Sequence, residues 1–287
     1  MSKIIIGTAN FDSKYGYKKN KVQLREIKKI LNFIKYKSKL NYIDTANFYG
    51  NTQKILGNNM NRKINYISKI KIKKQDIKNS KNFEKKIYLI LNELKIKKLY
   101  AILIHNPLIL KLDKKKKIFK SLAYIQKKGH IKKLGISVYN QEEIDFVLKK
   151  FKFNIIQLPI NLFDKKFNDN GTLGRLKKNG YEIHARSIFL QGLLLENILN
   201  KKFNQWSEIF EFYNFWLKVN NLKKLDVCWN YISNIKEIDR IVVGLNNLQQ
   251  LKEILRIKKN IVNEIPDFMR KEESNFTNPV NWRKANV

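Results

Sequence analysis

The chain has 287 residues, 43% of them hydrophobic, which is enough for a sizeable core and argues against disorder. Its formal net charge of +35 invites a nucleic-acid reading, yet only eight of the 59 basic residues are Arg and the Lys excess runs the whole length; a specific nucleic-acid surface would cluster its charge and favour Arg. One cysteine (Cys228) and three scattered histidines (His105, His130, His184) exclude a disulfide framework and give no metal-ligand spacing, and no apolar run approaches the roughly 18 residues of a membrane span.

The first predicted strand is "KIIIGTA" (3–9), which brings Gly7 and Thr8 to its C-terminal end. No secretory apolar region follows a basic start, so a cytoplasmic chain is expected. In "LREIKKILNFIKYK" (24–37) apolar residues return at three- and four-residue steps, the pattern of a helix with one buried face. The second strand, "LNYIDTA" (40–46), is expected to end at Asp44, with Tyr49 and Gly50 in a short loop beyond it. The third, "INYISKI" (64–70), carries Lys69 at its end. A second amphipathic run, "FEKKIYLILNEL" (83–94), leads to "LYAILIH" (99–105), which ends at His105. Then come "IKKLGISV" (131–138) with Ser137, "NIIQLP" (154–159) with Gln157, and "YEIHARSI" (181–188) with Arg186 and Ser187. The eighth is "RIVVGL" (240–245), with Gly244. The stretch from about 195 to 238 exceeds one helix and is expected to hold an extra one; residues 257–287 follow the last unit as a tail.

Eight strand–helix alternations without a Pro- or Gly-rich linker predict one α/β domain over residues 1–287, a closed (β/α)₈ TIM barrel. An open dinucleotide-binding sheet would show G-x-G-x-x-G after its first strand, and Gly7-Thr8-Ala9 has no such continuation. In a barrel of this kind chemistry belongs to the C-terminal strand ends. Polar residues stand at six consecutive ends: Asp44, Lys69, His105, Ser137, Gln157 and Arg186.

Each of these has a bland alternative: Asp44 as a turn cap, Lys69 as one lysine among many, His105 as a core histidine. Taken together they form a chemical device. A free phenol, with a pKa of roughly 10, is a reluctant proton donor near neutrality. An adjacent ammonium lowers that value, and a carboxylate such as Asp44 would hold Lys69 in place. A histidine nearby can hydrogen-bond a carbonyl oxygen and its developing alkoxide. Such a group suits protonation of a carbonyl oxygen while hydride arrives at carbon, with a nicotinamide as the hydride source.

These residues resemble the aldo-keto reductases. The family's Asp-Thr-Ala followed by Tyr-Gly is similar to Asp44-Thr45-Ala46 with Tyr49-Gly50, continuing through "KILG" (54–57). The resemblance covers nearly the whole chain. It implies the (β/α)₈ barrel, Tyr49 as proton donor tuned by Lys69 and Asp44, His105 orienting the substrate carbonyl, and NADPH bound in extended form, with NADH as an alternative. It further implies that Thr8, Ser137, Gln157, Arg186 and Ser187 serve the cofactor, Ser137 and Gln157 holding the nicotinamide carboxamide. The Asn that usually follows that Ser is Val138 here. Arg186 stands where many relatives stack a tyrosine on the nicotinamide ring. Gly244, Asn246 and Asn247 would form the phosphate loop at a helix N-terminus, Gln250 replaces an Arg often used to grip a 2′-phosphate, and Glu253 keeps an acidic position. "IQLPINLFD" (156–164) with "IHARSIFLQGLLL" (183–195) resembles a bacterial subgroup of surface-polysaccharide or flagellin-glycan biosynthesis, which implies a sugar-derived carbonyl. The alternative function is a cofactor-binding sensor or regulatory subunit without turnover. No specific nucleic-acid or membrane partner is expected, and oligomeric state and substrate identity are not legible.

Overall fold

The structure is a computed structural model and describes residues 3–59, 64–258, 265–266, 269, 274–279 and 281–283. Eight parallel strands close on themselves in sequence order. They are β1 (Ile4–Gly7), β2 (Tyr42–Ala46), β3 (Asn65–Ile70), β4 (Leu99–Ile104), β5 (Ile131–Ser137), β6 (Ile155–Pro159), β7 (Glu182–Arg186) and β8 (Arg240–Gly244). Pairing of β1 with β8, through Ile4↔Ile241 to Gly7↔Gly244, shuts the ring. The fold is an α/β (β/α)₈ barrel, and each predicted strand lies within the run read from the sequence.

The helices are α1 (Leu24–Lys37), α2 (Thr52–Asn59), α3 (Lys74–Lys78), α4 (Ser80–Glu93), α5 (Lys117–Lys127) and α6 (Gln141–Lys150), followed by α7 (Lys166–Asp169), α8 (Thr172–Lys178), α9 (Ser207–Val219), α10 (Lys224–Asn234), α11 (Leu248–Arg256) and α12 (Ser274–Thr277). Their apolar stripes explain the outer core. α1 buries Ile27, Ile30, Leu31 and Ile34, and α4 buries Phe83, Ile87, Ile90 and Leu91; both series follow the three-and-four spacing of one helix face. The extra helix expected between 195 and 238 is present, since both α9 and α10 lie there.

Inside the barrel an apolar layer is built from Ile5, Ile67, Leu103 and Ile155, with Val242 against it. Below it lies a polar base. Glu182 accepts from Tyr100 Oη at 2.7 Å, Lys133 Nζ at 2.6 Å, His184 Nε2 at 2.8 Å and Arg240 Nε at 3.1 Å. The Arg240 guanidinium lies 3.4 Å from the centroid of the Tyr42 ring. Burial raises the Glu182 carboxyl, but its bonds from His184, Lys133 and Tyr100 win and hold it far below the usual carboxylate range.

A second core, rich in aromatic residues, lies outside the strands. Phe163, Phe203, Trp206, Phe210 and Tyr213 pack there with Phe276 and Trp282 from the C-terminal segment. Most of the expected tail, residues 257–287, is outside the described residues; of those described, Met269, Phe276 and Trp282 are buried in this cluster.

Candidate active site

Asp44 was expected at the end of its strand, but β2 runs on to Ala46 and pairs with β3 through Ala46↔Lys69. The carboxylate therefore sits in mid-strand, buried within the barrel. It can stay there because both its oxygens have partners: Lys69 Nζ donates to Oδ1, and Gln157 Nε2 donates to Oδ2 at 3.0 Å. A buried carboxylate is tolerable only with such pairing.

The turn after β2 brings Tyr49 back over this pair. Tyr49 N–H donates to Ala46 O at 3.2 Å, and the Thr52 hydroxyl donates to Tyr49 O at 2.6 Å. Gly50 makes the turn possible, with a positive φ of 59° and no room for a Cβ, which would meet Asp12 Oδ2 at 2.6 Å. That Asp12 carboxylate in turn accepts Asn51 N–H at 2.7 Å. Lys69 Nζ lies 5.4 Å from the centroid of the half-buried Tyr49 ring.

The phenol is pushed well above its ordinary value, first by burial and then by the Asp44 carboxylate, while the Arg186 guanidinium pulls it down. The depression by Lys69 expected from the sequence does not set this balance, because the ammonium is engaged by Asp44.

His105 follows directly on β4, its N–H bonded to Ile70 O at 3.0 Å. Its ring stands edge-on to Phe48 at 4.9 Å, and Phe48 stands edge-on to Tyr49 at 5.1 Å. Burial lowers the imidazole pKa to about 3, helped by the cations Lys69, Arg186 and Lys71. The ring is therefore neutral near pH 7 and keeps one N–H donor and one acceptor.

One cavity of about 450 Å³ reaches from Asp44, Tyr49 and Lys69 to the opposite side of the barrel mouth; His105 and Ser137 are not among the residues that line it. Asp44, Tyr49 and Lys69 line one part of it, and Gly244, Asn246, Gln250 and Glu253 another, with Thr8, Gln157, Arg186 and Ser187 between. An adjoining cleft of about 680 Å³ shares Asn20 and Asn246 with it and is bordered by Lys21, Lys29 and Lys252. The loops after β1 and β7 meet across this cavity. Tyr17 N–H donates to Gln191 O at 2.9 Å, and Lys18 pairs with Glu196 at 2.9 Å.

Several cofactor candidates already hold hydrogen bonds within the protein. Asn247 caps α11 by accepting Gln250 N–H at 2.9 Å and lines the adjoining cleft, and Gln250 Oε1 accepts Asn246 N–H at 2.7 Å. Thr8 donates its hydroxyl to Asp44 O at 2.9 Å. Arg186 does not present an open guanidinium face on all sides: it stacks on Tyr139 at 4.1 Å and donates to Val138 O at 3.0 Å. Val138, where an Asn was expected, thus contributes its carbonyl.

A nicotinamide fits this chain on one structural observation. Ser137 Oγ and Gln157 Oε1 are buried and have no hydrogen-bond partner, which is costly unless a polar group meets them. A carboxamide carries both a donor and an acceptor, so it matches a hydroxyl and an amide oxygen.

Sequence reasoning missed Asn10, which bonds Leu245 O and Asn246 Oδ1 at 2.9 Å each, and Tyr139, which carries Arg186. Tyr139 was findable, standing two residues past Ser137 at a strand end. It also missed that Ser187, Leu190 and Gln191 all have positive φ, at 59°, 45° and 57°. Non-glycine residues hold such a backbone only when their surroundings impose it.

A family model described as the aldo/keto reductase family matches residues 3–267. No individual curated protein matches the chain significantly. Among solved structures, the aldo-keto reductase AKR11C1 from Bacillus halodurans, in its holo form, superposes with a TM-score of 0.76 at 14% identity, covering 94% of this chain and 92% of that one. The thermostable aldo-keto reductase Tm1743, in complex with the inhibitor epalrestat, gives 0.68 at 18% identity and 92% coverage of each chain. At such identities the likeness bears on the fold.

Proposed function

Since the chain belongs to the aldo/keto reductase family of NAD(P)H-dependent oxidoreductases, we propose that it reduces an aldehyde or ketone to an alcohol with Tyr49 as the proton donor. The observation that carries this reading is the convergence of Tyr49, Lys69 and Asp44 in one cavity that continues to the β8–α11 loop. Bound nicotinamide supplies the hydride. The chain's own residues do the rest.

Tyr49 delivers its hydroxyl proton to the carbonyl oxygen as negative charge develops there. A phenol held above its ordinary pKa stays protonated before the step, and the Arg186 guanidinium then stabilises the phenolate that results. Asp44 fixes Lys69 in position. Neutral His105 offers one N–H to the carbonyl oxygen, which orients the substrate without competing for the proton.

Ser137 and Gln157 are the residues we assign to the carboxamide. Thr8, Arg186, Ser187, Gly244, Asn246, Asn247, Gln250 and Glu253 border the remaining length of the cofactor. NADPH is the cofactor we favour on the sequence resemblance; of the lysines around the cleft beside Asn246, Lys21 pairs with Asp12 and Lys29 with Glu26 at 2.6 Å, and Lys252 is the one we assign to a 2′-phosphate. A sugar-derived carbonyl is the substrate class we favour, on the sequence resemblance alone. We further place the activity in the cytoplasm and treat residues 1–287 as one domain; among the described residues no helix is long and apolar enough to cross a membrane.

The test is fluorescence titration with NADPH and NADH, followed by a carbonyl panel that includes sugar aldehydes. The reading fails if cofactor binds, no carbonyl oxidises it, and Tyr49→Phe changes nothing.

A further inference from the structure

Arg186 is an unusual charge for the place it occupies. It ends β7 on the cavity wall and is half-buried, yet it has no carboxylate partner among the described residues. The other cations of the cavity are committed. Lys69 is bonded to Asp44, Lys18 is paired with Glu196, and Lys224 donates to Glu196 O and to Asn197 Oδ1. Of the nearby acids, Asp164 is engaged with Lys166 at 3.1 Å, and Glu253 accepts from Gln249 at 3.0 Å.

A guanidinium has five N–H donors. Two of Arg186's bonds go to protein: Nη2 to Val138 O at 3.0 Å, and Nη1 weakly to Ser187 Oγ at 3.4 Å. The Tyr139 ring covers one face and fixes the plane of the fork. Tyr139 also stands 6.4 Å from His105, edge-on, and His105 leads through Phe48 to Tyr49. Arg186 shares the cavity with Tyr49 and its charge acts on that phenol, so the remaining donors are held near the proposed proton donor. A partly desolvated charge held this way is costly alone and favourable with an anion.

We propose that Arg186 is the recognition site for a carboxylate on the substrate, so that the enzyme prefers aldehydes or ketones bearing a carboxylate over neutral ones. The inference rests on the carbonyl-reductase reading above and narrows the substrate, sugar-derived or not, to carbonyls that carry a carboxylate. A carboxylate suits the site better than a phosphate dianion: its two oxygens match a planar fork, and it brings a single charge into a half-buried place. The reaction is otherwise unchanged, with the carboxylate a spectator that anchors the molecule.

The test uses matched probes with NADPH: succinic semialdehyde against butanal, and 4-carboxybenzaldehyde against 4-methylbenzaldehyde. We expect at least one pair to show kcat/KM about 10- to 100-fold higher for the acid, carried mainly by KM, as a charged hydrogen bond would give. Arg186→Gln should bring that ratio close to one, and Arg186→Lys should restore it in part. The ratio is internal to each variant, so any loss of cofactor affinity cancels. Ratios near one in the wild type, or a ratio that Arg186→Gln leaves unchanged while it weakens only NADPH binding, overturn the assignment. A second arm measures calorimetric binding of 4-carboxybenzyl and 4-methylbenzyl alcohol to the protein saturated with NADP⁺. Arg186-dependent binding of the acid supports the site even if no aldehyde is turned over, in which case the reductase reading fails and the anion site stands. Turnover without acid preference and without acid binding leaves the reductase reading intact and removes this one.

Discussion

Gln157 reaches from β6 to donate its amide to Asp44 Oδ2 on β2 at 3.0 Å, so a residue assigned to the cofactor also fixes the carboxylate beneath Lys69. Its Oε1 remains for a second partner. Replacing it with Leu removes a hydrogen bond to a buried charge, which costs about 1.5–3 kcal/mol. We expect Gln157→Leu to lose both stability and NADPH affinity, measured by urea denaturation and by fluorescence titration. A variant that loses affinity at unchanged stability would show that the Asp44 bond carries nothing.

Asp44→Asn leaves the Lys69 ammonium buried without its counter-charge. Breaking a buried pair from one side costs about 3–5 kcal/mol. The double change Asp44→Asn with Lys69→Met removes both charges and should recover part of that loss. The urea midpoints of the three variants give the coupling between the pair.

Tyr49→Phe deletes the proposed proton donor and little else. General acid catalysis is worth roughly 10²- to 10⁴-fold, so turnover should fall by that order while NADPH binding stays nearly intact. Single-turnover rates measured beside a cofactor titration separate the two. Equal turnover in variant and parent would remove Tyr49 from the role.

His105 should titrate far below the ordinary histidine value. Its folded pKa of about 3, against an ordinary 6.5, means that the unfolded chain takes up a proton that the folded one refuses. The resulting stability is fully present above the ordinary value and is lost as pH falls toward 3. Proton NMR of the imidazole C2–H should show no titration between about pH 5 and 8. The pH profile of reduction should likewise lack a limb from this residue there.

Glu182 is the one carboxylate shared by Tyr100, Lys133, His184 and Arg240. Its folded pKa is depressed, so the stability it brings is present above the ordinary carboxylate value and falls as pH drops through the folded one. Glu182→Gln should cost about 3–5 kcal/mol near neutrality and flatten the loss of stability on acidification. Unfolding midpoints at a series of pH values check both.

The strands were legible because each is a short apolar run, six of them with a polar residue at or near the upper end, and α1 because its buried positions repeat on one face. Asp44, Tyr49, Lys69 and His105 were legible as residue types near or just beyond the upper ends of their strands. What local pattern could not give was reach. The Gln157–Asp44 bond spans 113 positions, and the Tyr17–Gln191 bond that joins two loops has no periodic signal. The strand end assigned to Asp44 was wrong for a similar reason: a carboxylate reads as a stop until its partners, Lys69 and Gln157, are known. The stacking of Arg186 on Tyr139 has no periodic signal either, although Tyr139 itself stands at a strand end.

The apolar layer of Ile5, Ile67, Leu103 and Ile155 lies between the Glu182 network and the Asp44–Lys69 pair. It acts as a septum between two polar storeys of one barrel. Substitutions on separate storeys share no partner and should combine additively. Mutational drift at the mouth can therefore alter which carbonyl is accepted while the lower storey keeps the ring closed, so the specificity of this scaffold can diverge without eroding its fold.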